Sequence, residues 1–457
     1  MVISRYTICV ESDGEHLLFN AANGAFAALD DQTWKQSGLE SATVSGVDRE
    51  EVCIDDQAMA GQLAEAGFLV DLDPEQELAV QQERFDVSRA SKDSLTLSFI
   101  PTYACNYRCP YCYEQGHNSV KGKMDARTMD AVCAFVEKIH DRDGFGNLSV
   151  QWYGGDPSLA LDVVEALSSR LTKWCEDHGV SYDALMLTNA NLIDDEAAAL
   201  IARNGISHVI LTIDGPEELH NVRRVAADGS NSYAKNIQAA RYLRAYGIRL
   251  TASMNVDKVN WELYPKMRDK LAREEGIELT PGKLCDYGHF YGQKPFAAPA
   301  FDLFTHQEFA KARLELFQRE SHTAAEIREM LRPVPRFCSG QLDNYYVIDL
   351  LGDVYNCDGW VGDTSYVRFN LFEDESTWKL EDVSHDATRN SQCKACELLP
   401  ICQGNCDWER RCNGMPCHPL KYTIDGYLRL YRKCFDESAR GYTLLARPFE
   451  PEEIAAI

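Results

Sequence analysis

The chain has 457 residues, 45% of them hydrophobic, and its 46 basic and 71 acidic side chains give a net charge of −25. This length predicts two or three domains, and the acidic balance argues against nucleic acid and an anionic membrane as partners. Because no apolar stretch is long enough to span a membrane and no signal peptide is recognisable, we expect a cytoplasmic protein. Seventeen cysteines, many of them in C-x2-C and C-x3-C steps, then favour metal thiolates over disulfides.

Residues 1–72 are predicted to form a small module. The pattern begins with a β-hairpin that turns at Asp13-Gly14 and closes with an amphipathic helix that ends before Gly67. Segment 73–93 is polar, charged and without a clear period. It is predicted to be a linker that can be helical in part.

Strand and helix patterns alternate through residues 94–285. Strand patterns occupy 94–100, 148–155, 184–190, 208–215, 249–256 and 277–284, and a clear helical period covers 125–139. Such alternation predicts a parallel sheet with helices outside, that is, an α/β fold. Six units are fewer than the eight of a closed barrel, so a partial (β/α)6 barrel or an open doubly wound sheet is expected. Residues 286–335 are expected to connect this domain to the next.

Three cysteines follow the first of these strands in a C-x3-C-x2-C array, namely Cys105, Cys109 and Cys112. They therefore lie at the carboxyl end of a parallel strand, where α/β sheets place their chemistry. Four ligands would close a zinc site or an iron–sulfur cluster, whereas three thiolates leave one metal position open. A zinc site with His117 as fourth ligand is the alternative.

This cysteine spacing, with the aromatic Tyr111 before the last cysteine, resembles the radical S-adenosylmethionine (SAM) superfamily. The resemblance implies that the three cysteines hold a 4Fe-4S cluster whose free iron binds SAM. It further implies that SAM yields a 5′-deoxyadenosyl radical that removes a hydrogen atom from the substrate. A flavodoxin- or ferredoxin-type reductant is the implied electron donor.

Residues at the later strand ends resemble the loops with which this superfamily binds SAM. "YGGDP" resembles the Gly-Gly-Glu-Pro loop with Asp156 in place of Glu, and "LTIDGP" resembles a Ser-hydrophobic-Asp-Gly-Pro stretch with Thr212 in place of Ser. The residues assigned to SAM in this way are Tyr111, Gly154, Gly155, Asp156, Asn189, Thr212, Asp214, Ser253 and Asn255. The cation for the SAM carboxylate stays open between Arg223 and Arg224. A turn or a helix cap is the alternative role of each polar residue.

Residues 336–437 contain nine cysteines and little periodicity, so metal clusters rather than an apolar core are expected to hold this segment. The array resembles the seven-cysteine SPASM extension of radical SAM enzymes. The resemblance implies two auxiliary 4Fe-4S clusters, one held by Cys338, Cys357 and Cys406 and the other by Cys393, Cys396, Cys402 and Cys417.

Several points of this assignment stay open. Cys412 and Cys434 are alternatives to Cys417, and the three-cysteine cluster either keeps an open iron or gains Cys285 or Cys434. Two zinc sites are the alternative to clusters. Residues 438–457 are expected to be a C-terminal tail.

Asp358 directly follows one of the predicted cluster ligands. In sulfatase-maturating members of the superfamily an Asp in this place accepts a proton from the substrate side chain, so Asp358 is the predicted catalytic base. A turn-forming role before Gly359 is the alternative.

The N-terminal module resembles the winged-helix domain of peptide maturases, which adds a leader peptide as a strand at its sheet edge. A structural cap on the barrel is the alternative. The sequence thus predicts a radical SAM/SPASM maturase that installs a crosslink or an oxidative modification in a ribosomally made precursor peptide. The alternatives are a sulfatase-type maturase that oxidises Ser or Cys to formylglycine, and a zinc- or cluster-stabilised peptide-binding adaptor without turnover.

Overall fold

The computed structural model describes residues 1–39, 54–116, 120–285, 301–378, 380, 386–413, 417–435 and 441–455. The chain divides into two compact units. The first unit contains Met1–Ala90, Thr305–Gln341 and Val383–Ile457, and the second contains Ser91–Phe304 and Leu342–Asp382. Each unit therefore combines segments that are far apart in sequence, which the predicted domain boundaries do not.

Strands and helices are numbered here in chain order. The strands are β1 (Val2–Ile3), β2 (Thr7–Ser12), β3 (Glu15–Asn20), β4 (Phe26–Asp30), β5 (Leu69–Val70), β6 (Ser94–Ile100), β7 (Asn147–Trp152), β8 (Ser181–Leu187), β9 (Ile206–Thr212), β10 (Arg249–Val256), β11 (Glu278–Lys283), β12 (Tyr345–Asp349), β13 (Asp353–Tyr355), β14 (Phe369–Asn370) and β15 (Tyr442–Ala446). The helices are α1 (Asp31–Ser37), α2 (Gln57–Glu65), α3 (Pro74–Arg89), α4 (Ala126–Asp143), α5 (Leu161–His178), α6 (Asp195–Arg203), α7 (Glu217–Arg223), α8 (Ser232–Ala245), α9 (Tyr264–Glu275), α10 (His306–Arg319), α11 (Ala324–Met330), α12 (Leu399–Cys402), α13 (Asp407–Asn413), α14 (Ile424–Lys433) and α15 (Pro451–Ala455).

The second unit contains a nine-stranded sheet in the order β11-β10-β9-β8-β7-β6-β12-β13-β14. Strands β6 to β11 are parallel and each lies beside its predecessor. This consecutive order, without a reversal, is that of a singly wound partial barrel rather than of a doubly wound sheet. All six predicted strands are present. Strand β12 adds a seventh parallel strand beside β6, inside the segment predicted to contain clusters alone.

Helix α4 shows how the barrel helices bury their inner face. Val132, Phe135, Val136 and Ile139 recur at helical spacing and are almost completely buried. Asp125 caps the helix start by accepting a hydrogen bond from the backbone of Thr128. The helix runs four residues beyond its predicted end, because the last turn is polar and carries no periodic signal.

The first unit contains a four-stranded antiparallel sheet in the order β15-β4-β3-β2 and a two-stranded pair of β1 and β5. The predicted hairpin turn is confirmed, since Asp13 and Gly14 have φ angles of 52° and 79° between β2 and β3. Strand β15 pairs with β4, so the C-terminal segment is part of the sheet and the prediction of a tail is wrong. The stacked rings of Phe26 and Tyr431, 4.6 Å apart, show that N- and C-terminal segments share this core.

The segment predicted as a linker is helix α3. Asp73 and Gln76 form a capping box at its start, and Phe85 is almost fully buried. Glu77 is also buried and accepts hydrogen bonds from the Ser4 hydroxyl at 2.5 Å and the Arg5 backbone at 3.0 Å. The buried face is largely polar, which explains why hydrophobic periodicity did not reveal it. No helix in the described part of the chain is long and apolar enough to cross a membrane.

Candidate active site

The first cysteine array lies on the loop that follows β6, at the carboxyl end of the sheet. Cys105, Cys109 and Cys112 pack with Tyr107 and Ala226 in one small cluster. An isolated antiparallel bridge between Tyr107 and Ala226 fastens this loop to the segment after α7. The three thiols are thereby held together by the backbone, as a shared cluster would need.

Burial dominates the electrostatics of these thiols. Burial raises the pKa of Cys105 to about 12. It also raises the pKa of Cys109, and the positive charge of Arg224 partly offsets that increase. Burial likewise raises the pKa of Cys112, and Glu114 adds to the effect. In the metal-free protein the thiols therefore hold their protons, and metal binding has to release them.

Gly154 and Gly155 pack against the loop that carries the cysteine array. Gly154 has a φ of 108°, and a Cβ atom on it would collide with Ile100. A Cβ atom on Gly155 would collide with the carbonyl groups of Tyr103 and Ala104. Close packing thus explains why glycine stands at both positions. That their backbone also contacts SAM stays a prediction.

Asp156 is fully buried and connects two strand ends. Its carboxylate accepts hydrogen bonds from the Thr188 hydroxyl at 2.9 Å and the Asn189 backbone at 2.8 Å, besides the bonds from Ser158. Asn189 in turn donates to the side chain of Asn106 at 2.7 Å and approaches the sulfur of Cys105 at 3.7 Å. Asp156 therefore positions Asn189 beside the cysteine loop.

Four polar residues converge next to the array. The Tyr111 hydroxyl donates to Asp214, whose other oxygen accepts the Asn255 backbone N–H at 3.0 Å. Arg224 and the Asn255 side chain approach the same hydroxyl at 3.2 and 3.4 Å. Burial raises the pKa of Asp214, and Arg224 acts against this. The structure thus unites Tyr111, Asp214 and Asn255, which the sequence assigned to one ligand.

The two arginines left open by the sequence have different environments. Arg223 is completely buried and forms an ion pair with Asp257 at 2.7 Å, so its charge is compensated within the fold. Arg224 instead faces Tyr111, and its buried Nε has no hydrogen-bond partner among the described residues. Arg224 is therefore the better candidate for an anionic ligand group. The sequence could not separate the two, because helical geometry turns consecutive residues about 100° apart without showing which of them faces the ligand.

Two further predicted SAM residues lie side by side on neighbouring strands. Thr212 ends β9 and pairs in register with Ser253 of β10. Both backbones take part in hydrogen bonds: the Ser253 carbonyl accepts from Ile213 at 2.9 Å, and the Thr212 carbonyl accepts from Asn236 at 3.3 Å. Both lie at the same sheet edge as the cysteine loop, and their contact with SAM stays a prediction.

The functional groups of these residues suit SAM and its cluster. Three thiols adjoin a buried carboxylate, an amide and an arginine with a free donor, which suit the ribose, the ammonium and the carboxylate of an amino-acid nucleotide. The Asn106 amide nitrogen is a second buried donor without a partner in the described part of the chain. His117, the alternative zinc ligand, lies outside the described residues.

Residues 99–271 match the Radical SAM superfamily. The chain carries a radical SAM domain and is an enzyme. It is 22% identical over 371 residues to the serine-type anaerobic sulfatase-maturating enzyme of Bacteroides thetaiotaomicron, covering 72% of this chain and 86% of that protein. It is also 22% identical over 445 residues to the radical SAM cyclopropyl synthase TigE of Paramaledivibacter caminithermalis, covering 89% of both. The predicted resemblance to radical SAM maturases is thus confirmed.

A solved structure agrees with the fold. Native anSMEcpe with bound AdoMet and Cp18Cys peptide matches this radical SAM enzyme with a TM-score of 0.56 and 19% identity. The match covers 74% of this chain and 99% of that chain. It supports the partial-barrel core with its parallel sheet.

Asp358 is half-buried and is bonded by side chains of three sheet strands. It accepts hydrogen bonds from Ser98 at 2.7 Å, from Tyr345 at 2.8 Å and from Gln151 at 3.3 Å. Burial raises the pKa of Asp358, and these bonds oppose the shift. A carboxylate that served as a turn former would bond to its local backbone. Asp358 is instead held over the sheet of the radical SAM enzyme.

A second half-buried acid in the same unit, Glu114, was not found from the sequence. Glu114 follows the cysteine array, and burial raises its pKa to about 7, with Asp358 adding to the effect. Tyr113 and Tyr153 form a hydrogen bond with each other and stabilise the ionised form of Glu114. A Glu close behind the last cysteine was the available signal, but no pattern indicated burial.

Four cysteines of the predicted auxiliary set line one cavity of about 310 Å³ in the first unit. They are Cys393, Cys396, Cys402 and Cys417. The two alternatives to Cys417 have other surroundings: Cys412 is buried on α13, and the Cys434 thiol approaches the carbonyl of His322 at 3.6 Å. The cavity thus favours Cys417 as the final ligand.

The remaining predicted ligands belong to both units. Cys338 and Cys406 lie in the first unit, where burial raises the pKa of Cys406 to about 11 and Cys338 adds to the effect. Cys357 lies in the second unit and accepts a bond from the Gly359 backbone at 3.4 Å. Cys285, an alternative ligand, contacts the Lys283 ammonium at 2.8 Å. The composition of this cluster stays a prediction.

The cysteines do not converge on a point. Within the described ranges, no three Cys, His, Asp or Glu side chains are close enough to hold a single metal ion. A tetrahedral zinc site needs four donors within about 2.3 Å of one ion, whereas a 4Fe-4S cluster spreads its ligands around a larger body. Cluster occupancy of the cavity stays a prediction.

Proposed function

We propose that this radical SAM enzyme matures a ribosomally synthesised precursor peptide. It removes a hydrogen atom from one peptide residue and so installs a crosslink or an oxidative modification. The observation that carries the proposal is the combination of the cysteine array with the hydrogen-bonded group of Tyr111, Asp214, Asn255 and Arg224 at one sheet edge. The similarity to a sulfatase-maturating enzyme along 72% of the chain supports a role in the maturation of a polypeptide.

Cys105, Cys109 and Cys112 would hold the SAM-binding 4Fe-4S cluster, and Arg224 would pair with the SAM carboxylate. When bound, this cofactor pair supplies a carbon-centred radical that removes a hydrogen atom. The buried residues around it exclude water, which would otherwise compete for the polar ends of SAM. Asp214 and Asn255 would orient the nucleotide through hydrogen bonds.

Asp358 is the proposed base. Ser98, Gln151 and Tyr345 fix its carboxylate, so that a proton released by the substrate residue meets a preorganised acceptor. Its raised pKa makes the carboxylate a stronger base than an exposed Asp. The two auxiliary clusters are proposed on the remaining cysteines, with the cavity of Cys393, Cys396, Cys402 and Cys417 as the better defined site.

The first unit is the proposed binding region for the leader segment of the peptide. Its sheet has two outer strands, β2 and β15, onto which an extended peptide can add. The edge of β4 is occupied by β15 of the same chain. A leader would therefore add to β2 or to the outer side of β15. It would add to β4 only if β15 first separated from that strand. A flavodoxin- or ferredoxin-type protein is the proposed reductant.

Reductive cleavage of SAM tests the proposal without knowledge of the peptide. Oxygen-free, reconstituted enzyme with dithionite and SAM is expected to form 5′-deoxyadenosine, measured by chromatography. The Cys105→Ala, Cys109→Ala, Cys112→Ala variant should form none while it retains iron at the auxiliary sites. Cys133→Ala and Cys175→Ala, changed outside the predicted ligand sets, are matched controls and should keep the activity. Cleavage that survives the triple change would overturn the proposal.

A sulfatase-type activity is the second candidate, favoured by the match to a sulfatase-maturating enzyme. A synthetic peptide with a sulfatase Ser or Cys site is the probe, and formylglycine is detected by mass spectrometry. Conversion that disappears in Asp358→Asn but leaves SAM cleavage intact would establish this candidate. No conversion under conditions of active SAM cleavage would favour another precursor peptide.

A further inference from the structure

The cavity lined by the four auxiliary cysteines also contains two cationic side chains, Lys421 and Arg410. One carboxylate, Glu397, lines it as well. His418 is a further lining residue. The ionised lining groups therefore carry an excess of positive charge beside the sulfurs.

Lys421 is directed at one sulfur. It lies in the short 3-10 turn Pro419–Tyr422, and its ammonium is 3.7 Å from the sulfur of Cys396. The same ammonium donates to Glu397 at 2.8 Å. Glu397 thus fixes the position of the cation and offsets part of its charge.

Arg410 provides the second cation. It lies on α13 and donates to the Gly404 carbonyl at 3.3 Å, which turns the guanidinium towards the cavity. Its Nε is buried and has no hydrogen-bond partner among the described residues. The cavity that Cys393 lines therefore also contains an unused N–H donor.

Such cations affect redox chemistry more than ligand binding. A 4Fe-4S cluster with four thiolates is negatively charged, and reduction adds one more negative charge. Positive charge and N–H donors near the sulfurs stabilise the reduced form and raise the reduction potential. At the SAM-binding array the neighbours include carboxylates, since Asn189, which approaches the sulfur of Cys105, is bonded to Asp156, and Tyr111 donates to Asp214.

We propose that Lys421 and Arg410 set the reduction potential of the cluster on Cys393, Cys396, Cys402 and Cys417 and make it easier to reduce. The inference rests on the proposed function, because it requires that cluster. An easily reduced auxiliary cluster suits an enzyme in which the oxidised peptide residue gives up an electron.

The test is a potentiometric titration followed by electron paramagnetic resonance. The background is the full chain with Cys105, Cys109 and Cys112 changed to Ala, so that auxiliary clusters alone give signals. Lys421→Met and Arg410→Met should each shift one reduction step to a more negative potential. Lys421→Arg should keep the potential, and Glu397→Gln should shift it to a more positive one. Lys173→Met, on an exposed face of α5, is the matched control and should leave it unchanged.

Iron and sulfide analysis accompanies every titration. Background protein without auxiliary iron would overturn the proposed cluster itself. Protein with full auxiliary iron whose potentials do not respond to Lys421→Met, Arg410→Met or Glu397→Gln would overturn the inference alone. If Lys421→Met loses iron, Lys421→Gln replaces it in the titration, because glutamine keeps a polar side chain. The reduction potential of Lys421→Gln should show the same negative shift.

Discussion

At the scale of single residues, hydrogen-bond partners distinguish two carboxylates by role. Asp156 is held by Ser158, Thr188 and Asn189 and connects two strand ends. Asp358 is held by side chains from three strands and stays oriented towards the face of the sheet. The sequence identified both as functional candidates. It could not distinguish a positioning carboxylate from a proposed base, because the partners are far away along the chain.

A third carboxylate predicts a pH effect on stability. Asp349 accepts bonds from the Tyr103 hydroxyl at 2.6 Å and from the Leu351 and Asp353 backbones. Burial nevertheless raises its pKa to about 6, above the ordinary value of 3.8. The folded state therefore binds this proton more tightly than the unfolded state. Its contribution to the free energy of unfolding is fully present below about pH 4 and is lost as the pH rises to about 6.

We expect Asp349→Asn to remove this dependence. The variant should gain up to roughly 2 to 3 kcal/mol relative to the wild type between pH 4 and pH 7. Chemical unfolding followed by circular dichroism at both pH values measures the difference. If the free energies of unfolding of the two proteins changed with pH in parallel, Asp349 would not titrate in this range.

At the scale of elements, strong periodicity was enough to predict the sheet. Strands β6 and β10 begin and end where their patterns do, and the hairpin turn at Asp13-Gly14 follows from turn chemistry. Other elements were missed for physical reasons. Strands β12 and β15 have five residues each, too few for a period. Helix α3 was predicted only as a linker that can be helical in part, because it buries polar side chains.

Helix α3 provides a test of the corrected assignment. Phe85 is 1% exposed, whereas Val87 on the same helix is 70% exposed. Phe85→Ala should lower the free energy of unfolding of the first unit by about 3 to 5 kcal/mol, because it opens a cavity. Val87→Ala should change it by less than about 0.5 kcal/mol. Equal effects in denaturant titrations would indicate a linker instead of a packed helix.

At the scale of the whole molecule, the comparisons and the sequence agree on a radical SAM enzyme. The cysteine spacing carried this identification, since iron–sulfur ligation requires a fixed set of thiols. Which of Arg223 and Arg224 faces the SAM site, and which cysteine completes the auxiliary set, needed three-dimensional contacts. The division of the chain was not predictable, because each unit is assembled from distant segments.

The most direct test of the account is the content of iron, acid-labile sulfide and zinc in enzyme purified and reconstituted without oxygen. Three 4Fe-4S clusters require about twelve irons per chain with matching sulfide and no stoichiometric zinc. About four irons with about two zincs would contradict the account. That result would keep the radical chemistry on Cys105, Cys109 and Cys112 and reduce the C-terminal cysteines to a structural metal site.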